Sequence, residues 1–132
     1  MDDYPKQKEY FGNQYPWIKL DNSNKNDSEV LVATLALGLF TALLNETMSI
    51  RDAEIGLFNI GTVEYLRRSG YSDTLVDIIS QGEYLQDLLG LGEEAYQEGL
   101  RRGQEGCLFL LSLTHLSSDI KVYFSWIDQR RE

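Results

Sequence analysis

VLVATLALGLFTALL, residues 30–44, carries no charged side chain, and its reading decides the fold. As a helix, these 15 residues span about 22 Å at ~1.5 Å per residue, short of the ~30 Å hydrocarbon core of a bilayer. The stretch also follows an acidic, Asn-rich leader and lacks the basic start of a secretory signal. Its apolar residues fall on nearly every side of a helix, which describes a central core helix covered by several neighbours. Thr34, Gly38, Thr41 and Asn45, spaced four, three and four, form one narrow small or polar stripe. That stripe reads as a solvent edge or a close helix crossing; the other reading is the floor of a ligand groove. Immediately before it, DNSNKND at residues 21–27 is a polar loop, with Asp27 or Ser28 placed to cap the helix.

Working outward toward the C-terminus, Ser49 precedes IRDAEIGLF, with Asp52 three residues on, a capping-box-like helix start. Gly61 and Thr62 open the next helix, which Ser69 and Gly70 stop, with Arg67 and Arg68 favoured by the dipole at its C-terminal end. Ser72 caps a helix over 73–81, and Gly82 divides it from 83–89. A longer helix begins at Glu93. Its Ala95, Gly99, Gly103 and Gly106 recur at four, four and three, and each interior glycine costs ~1 kcal/mol relative to alanine. Such a face predicts a backbone pressed against another helix, with the 30–44 helix as the natural partner.

Toward the termini, residues 1–14 lack periodicity and read as a flexible leader, leaving 15–132 as one helical domain. Residues 15–20, YPWIKL, and 120–127, IKVYFSWI, have strand character, the latter through alternation of Ile120, Val122, Phe124 and Trp126 with polar residues and Tyr123. The expected fold is therefore mainly α, a bundle of about five helices with a two-stranded antiparallel ribbon from the terminal segments. A helical alternative remains for 120–127, since Ile120, Phe124 and Ile127 also share a helix face.

Three stretches, LALGLFTAL at 35–43, SIRDAEIGLF at 49–58 and DIISQGEYLQDL at 77–88, resemble a family of small bacterial proteins of unknown function. The resemblance covers about the middle half of the chain and implies a bacterial cytosolic origin and a compact helical fold. It transfers no catalytic residue. Some such small acidic proteins look like immunity or antitoxin partners.

Lys and Arg number 12 against 21 Asp and Glu, for a net charge of −9 over 132 residues. That balance opposes nucleic acid, whose affinity comes from cations displacing counterions, and it opposes anionic membranes. Cys107 is the sole cysteine, so no intramolecular disulfide forms and a reducing cytosol is the expected compartment. One cysteine and one histidine, His115, cannot complete a tetrahedral metal set. Eight residues of helix would separate them by about 12 Å, too far for a nucleophile and its base. No phosphate loop, nucleophile elbow or zinc-protease motif is present, so the sequence predicts no catalytic, cofactor-binding or metal-binding residue.

The informative feature is a charge block. Between residues 69 and 100 stand Asp73, Asp77, Glu83, Asp87, Glu93, Glu94 and Glu98 with no Lys or Arg, a local net charge of −7. Tyr71, Tyr84 and Tyr96 punctuate it. Acids steer a basic partner and tyrosine supplies contact area at low entropy cost. The expected site is thus a partner-binding surface of Asp73, Asp77, Glu83, Tyr84, Asp87, Glu94, Tyr96 and Glu98. The function read from it is a non-enzymatic acidic module engaging a basic surface of a partner protein, of immunity, antitoxin or adaptor type. Two other classes stand beside it: a small-molecule sensor or enzyme with a pocket near the Thr34 and Thr41 stripe, and a structural homo-oligomer formed through the glycine face.

Overall fold

Asn24 caps the first helix by accepting the Asp27 amide with its side chain, so α1 runs from Lys25 to Leu44, 20 residues. The cap expected at Asp27 or Ser28 is corrected by one turn. DNSNKND offers several short oxygen-bearing side chains that cap comparably well, and tertiary bonds choose among them. Asp27, Ser28 and Glu29 lie inside the helix and are buried. Glu29 accepts the Ser72 amide at 2.7 Å and the Ser72 hydroxyl at 2.8 Å. Ser72 in turn accepts the Leu75 amide at 3.2 Å, capping α4 (Asp73–Glu83). The start of α1 is thereby tied to the start of α4.

The computed structural model describes residues 19–115. Besides α1 and α4 these form α2 (Ile50–Gly56), α3 (Ile60–Arg68), α5 (Leu85–Leu91) and α6 (Glu93–Leu113). The architecture is mainly helical, as the periodicity predicts. The terminal ribbon is not supported: no strand occurs among the described residues, and 15–18 and 120–127 lie outside them, as does the 1–14 leader.

At 20 residues, α1 is long and apolar enough to cross a bilayer by length and composition. In this fold it packs most extensively against α6 and also meets α4. Asn26 donates to the His115 carbonyl at 2.7 Å and Gln104 donates to the Thr41 hydroxyl at 2.9 Å, which fixes α1 and α6 as an antiparallel pair. Between these bonds, Val32, Ala33, Ala36 and Phe40 are buried, as is Leu43 just beyond Thr41. The small-residue stripe is a solvent edge: Thr34, Gly38 and Asn45 are exposed, and nothing lies within 4 Å of where a Gly38 Cβ would stand.

The α6 glycines are pressed against helices as expected, but α1 takes only one of them. A Cβ at Gly103 would overlap the Phe40 ring of α1, whereas at Gly99 it would overlap Leu88 of α5. At Gly106 it would stand 3.2 Å from Ile78 of α4. The glycine face is filled within the chain. Gly82, expected as a divider, is instead interior to α4, where a Cβ would overlap the Phe58 ring. Phe40 and Phe58 stack with ring centroids 4.7 Å apart, tilted by 33°.

Two turns carry the remaining geometry. Asn59 is buried and serves both sides of the α2–α3 junction: its amide donates to the Glu54 carbonyl at 2.7 Å and its oxygen accepts the Thr62 amide at 2.8 Å. It starts α3 one residue before the expected Gly61. Gly70, at φ 82°, closes α3 in a left-handed cap with the Tyr71 amide on the Leu66 carbonyl at 3.1 Å. The same cap closes α1, with the Thr47 amide on the Ala42 carbonyl at 2.9 Å, yet the left-handed position there is held by Glu46 at φ 58°.

The contrast between two helical glycines is measurable. Gly103→Ala is expected to lower stability by about 1–3 kcal/mol through overpacking against Phe40. Gly38→Ala, facing open space, is expected to raise it by up to about 1 kcal/mol. Urea unfolding of both variants checks this, and shifts of the same sign would mean that Phe40 is not seated on residue 103.

Candidate functional site

The acidic block folds into the corner made by α4, α5 and α6, and the structure divides its residues into three kinds. Asp73 and Asp77 sit exposed one turn apart on a row of α4 that continues through the half-buried Gln81 to Tyr84. Asp87 on α5 and Glu94 and Glu98 on α6 are also exposed. Tyr84 is 58% exposed at the joint between α4 and α5. With Gln81, Leu88, Ala95, Glu98, Gly99 and Arg102 it lines a cleft of about 360 Å³. The structure thus brings Tyr84 and Glu98 together.

Glu83 is half-buried. Burial, and then the like charges of Asp87 and Glu54, push its carboxyl above the ordinary range. It contributes to the field of the corner more than to its surface.

The other two tyrosines are not on that surface. Tyr71 is 5% exposed and donates from its hydroxyl to Asn22 at 2.7 Å, with burial pushing it up to about 12. Tyr96, expected among the contact residues, is 9% exposed. Its position two residues after Glu94 places it on the inward side of α6, where apolar ring area belongs. There it lines a second, wider groove of about 790 Å³ on the opposite flank of the corner, with Glu46, Met48, Asp52, Leu89 and Glu93 among its walls.

A block defined as free of cations hides the ones just beyond it. Arg101 and Arg102 lie one helical turn past Glu98, and their guanidinium nitrogens reach its carboxylate at 3.9 Å and 3.3 Å. The i, i+3 and i, i+4 spacings were the available signal. Glu98 is therefore partly neutralised, whereas Asp73, Asp77, Asp87 and Glu94 have no ion pair among the described residues. The sequence reading also missed Glu46 and Asp52, which join the wider groove from the α1–α2 side through a tertiary approach that no local pattern marks.

Elsewhere the chemistry is sparse. Cys107 is buried in the core and burial pushes its thiol up to about 12, while His115 is exposed beyond the end of α6. A thiol so placed is neither ionised nor accessible. Among the described residues, no group of three His, Cys, Asp or Glu side chains is placed to hold a metal ion.

Residues 23–128 match a family described as "Protein of unknown function (DUF3969)", a span that takes in every helix of the structure. The chain belongs to this family. The DUF3969 match includes all three stretches that carried the resemblance, and it extends beyond them through α6 to the acidic corner in full. No curated protein and no solved structure matches the chain.

Two measurements test the site's electrostatics. A carboxyl raised in the folded state binds protons more tightly there than in the unfolded chain, so its contribution to stability falls as pH rises through the raised value. Glu83→Gln should therefore be more stable than wild type at neutral pH, with the difference vanishing in acid below the ordinary carboxylate range. A difference independent of pH would remove the electrostatic cause. Cys107 should react with a thiol reagent only at the rate of opening of the fold, and stoichiometric labelling of the native chain within minutes would contradict its burial.

Proposed function

We propose that this DUF3969 protein is a non-enzymatic acidic binding module that captures a basic surface of another protein, in the manner of an immunity, antitoxin or adaptor protein. One observation carries the reading. Asp73, Asp77, Asp87, Glu94 and Tyr84 are all exposed, on a 32-residue segment without a Lys or Arg. Asp73 and Asp77, four apart on α4, repel by a few tenths of a kcal/mol, a cost in stability that a basic partner would recover on binding. Tyr84 supplies an anchor: a large ring fixed at the joint of two helices loses little entropy when covered. A reducing cytosol suits a module whose single thiol is unpaired and buried.

Arg101 and Arg102 refine which charges act. Reversing Glu98 would break its pairs with these arginines as well as altering the surface, so Asp77 and Asp87 are the cleaner positions. In binding kinetics with a partner recovered by pull-down from the native host, Asp77→Lys with Asp87→Lys should slow association roughly tenfold at low salt. The gap should close as salt shortens the screening length from ~10 Å at 0.1 M to ~3 Å at 1 M. Tyr84→Ala should act mainly on dissociation. Association unaffected by salt in the wild-type chain would leave the acids as a solubility device.

A further inference from the structure

Tyr96 carries the observation that the acidic surface leaves unused. Its side chain is nine-tenths buried, it lines the wider groove, and its hydroxyl has no hydrogen-bond partner among the described residues. A hydroxyl without a protein partner keeps its hydrogen-bonding capacity for whatever enters the groove. Burial and the charges of Glu93 and Glu46 push its ionisation upward, so it stays a neutral O–H with free lone pairs. Around it the groove is lined by Glu46, Asp52 and Glu93 together with Met48 and Leu89, and no Lys, Arg or His among the described residues lines it. Glu93 is bonded by Gln97 at 2.9 Å through one oxygen, which leaves the other to accept.

Three acidic residues beside the apolar side chains of Met48 and Leu89 fit a cation on an aliphatic stem, the shape of a lysine or arginine side chain. Resting on the reading of the protein as a module for a basic partner, we propose that this groove receives one lysine or arginine side chain of that partner, with the Tyr96 hydroxyl bonding its cationic head. The stem lies on Met48 and Leu89, and Glu46, Asp52 and Glu93 supply the counter-charge. Continuity with the capture surface favours a protein over a small polycation. Asp87 and Leu89 are both exposed on the seven-residue α5, and Glu93 and Glu94 are both exposed at the start of α6, so a partner covering the corner meets residues of both surfaces.

The test is a titration of the isotope-labelled full-length chain with acetyl-Ala-Lys-Ala-amide and with its norleucine counterpart, followed by NMR. The lysine peptide should shift resonances of residues 46–52 and 86–97, and the norleucine peptide should not. Tyr96→Phe should weaken the lysine peptide roughly 3- to 10-fold, the effect of one hydrogen bond, and Glu46→Gln roughly two- to fivefold. Tyr96→Phe should also melt no lower than wild type, because the hydroxyl has no partner in the free protein. Lost stability with unchanged affinity would assign Tyr96 to the core and overturn the proposal. So would equal binding of the norleucine peptide, shifts centred on Tyr84, or binding of spermidine without the lysine peptide. A partner that associates with salt dependence but dissociates from Tyr96→Phe at the wild-type rate would overturn this anchor alone, and salt-independent association would overturn the wider reading.

Discussion

Two phenylalanine rings and the two glycines beneath them hold the bundle together. Phe40 of α1 stacks on Phe58 of the α2–α3 junction, and each ring rests on bare backbone, Gly103 of α6 for one and Gly82 of α4 for the other. Four segments distant in sequence therefore meet at one point, which any side chain larger than hydrogen at either glycine would push apart. The two glycines forgo ~1 kcal/mol each of helix propensity, while burying a phenylalanine is worth roughly 1.5–3 kcal/mol. The balance favours the close approach, and it fixes how α4 and α6 lie relative to α1. The acidic corner is the outward side of that same arrangement.

Much of this was legible in the sequence, because the strongest signals were periodic. The uncharged run at 30–44 gave a core helix, and the recurrence of Gly99, Gly103 and Gly106 gave a close-packed face. What could not be read was which neighbour fills each gap. A glycine stripe states that something approaches, and only the fold shows that Phe40, Leu88 and Ile78 do so from three different helices. Gly82 looked like a break for the same reason: a missing side chain suits a turn and a seat for an aromatic ring alike.

The caps and the site show a second limit. Asn24 sits among other residues able to cap, and the choice is made by bonds to a distant part of the chain, where Glu29 reaches Ser72. Charge summed along the chain located the acidic corner but misjudged its composition, since Arg102 returns to Glu98 from beyond the block and Glu46 approaches Tyr96 from a different helix pair. Exposure of a tyrosine depends on which side of its helix it occupies, and three tyrosines in one block proved to have three different environments.

The pairing of α1 with α6 also sets the order in which the chain can become complete. The most hydrophobic helix is made before the others in the described region, and its principal cover, α6, is the last of the described helices to be made. At roughly 5–20 residues per second, the ~70 residues between the ends of these helices occupy the ribosome for about 3–14 s. Throughout that interval Val32, Ala36, Phe40 and Leu43 have no permanent shelter. A nascent chain of this design depends on the α2–α4 hairpins, or on a chaperone, to shield α1 until its partner emerges.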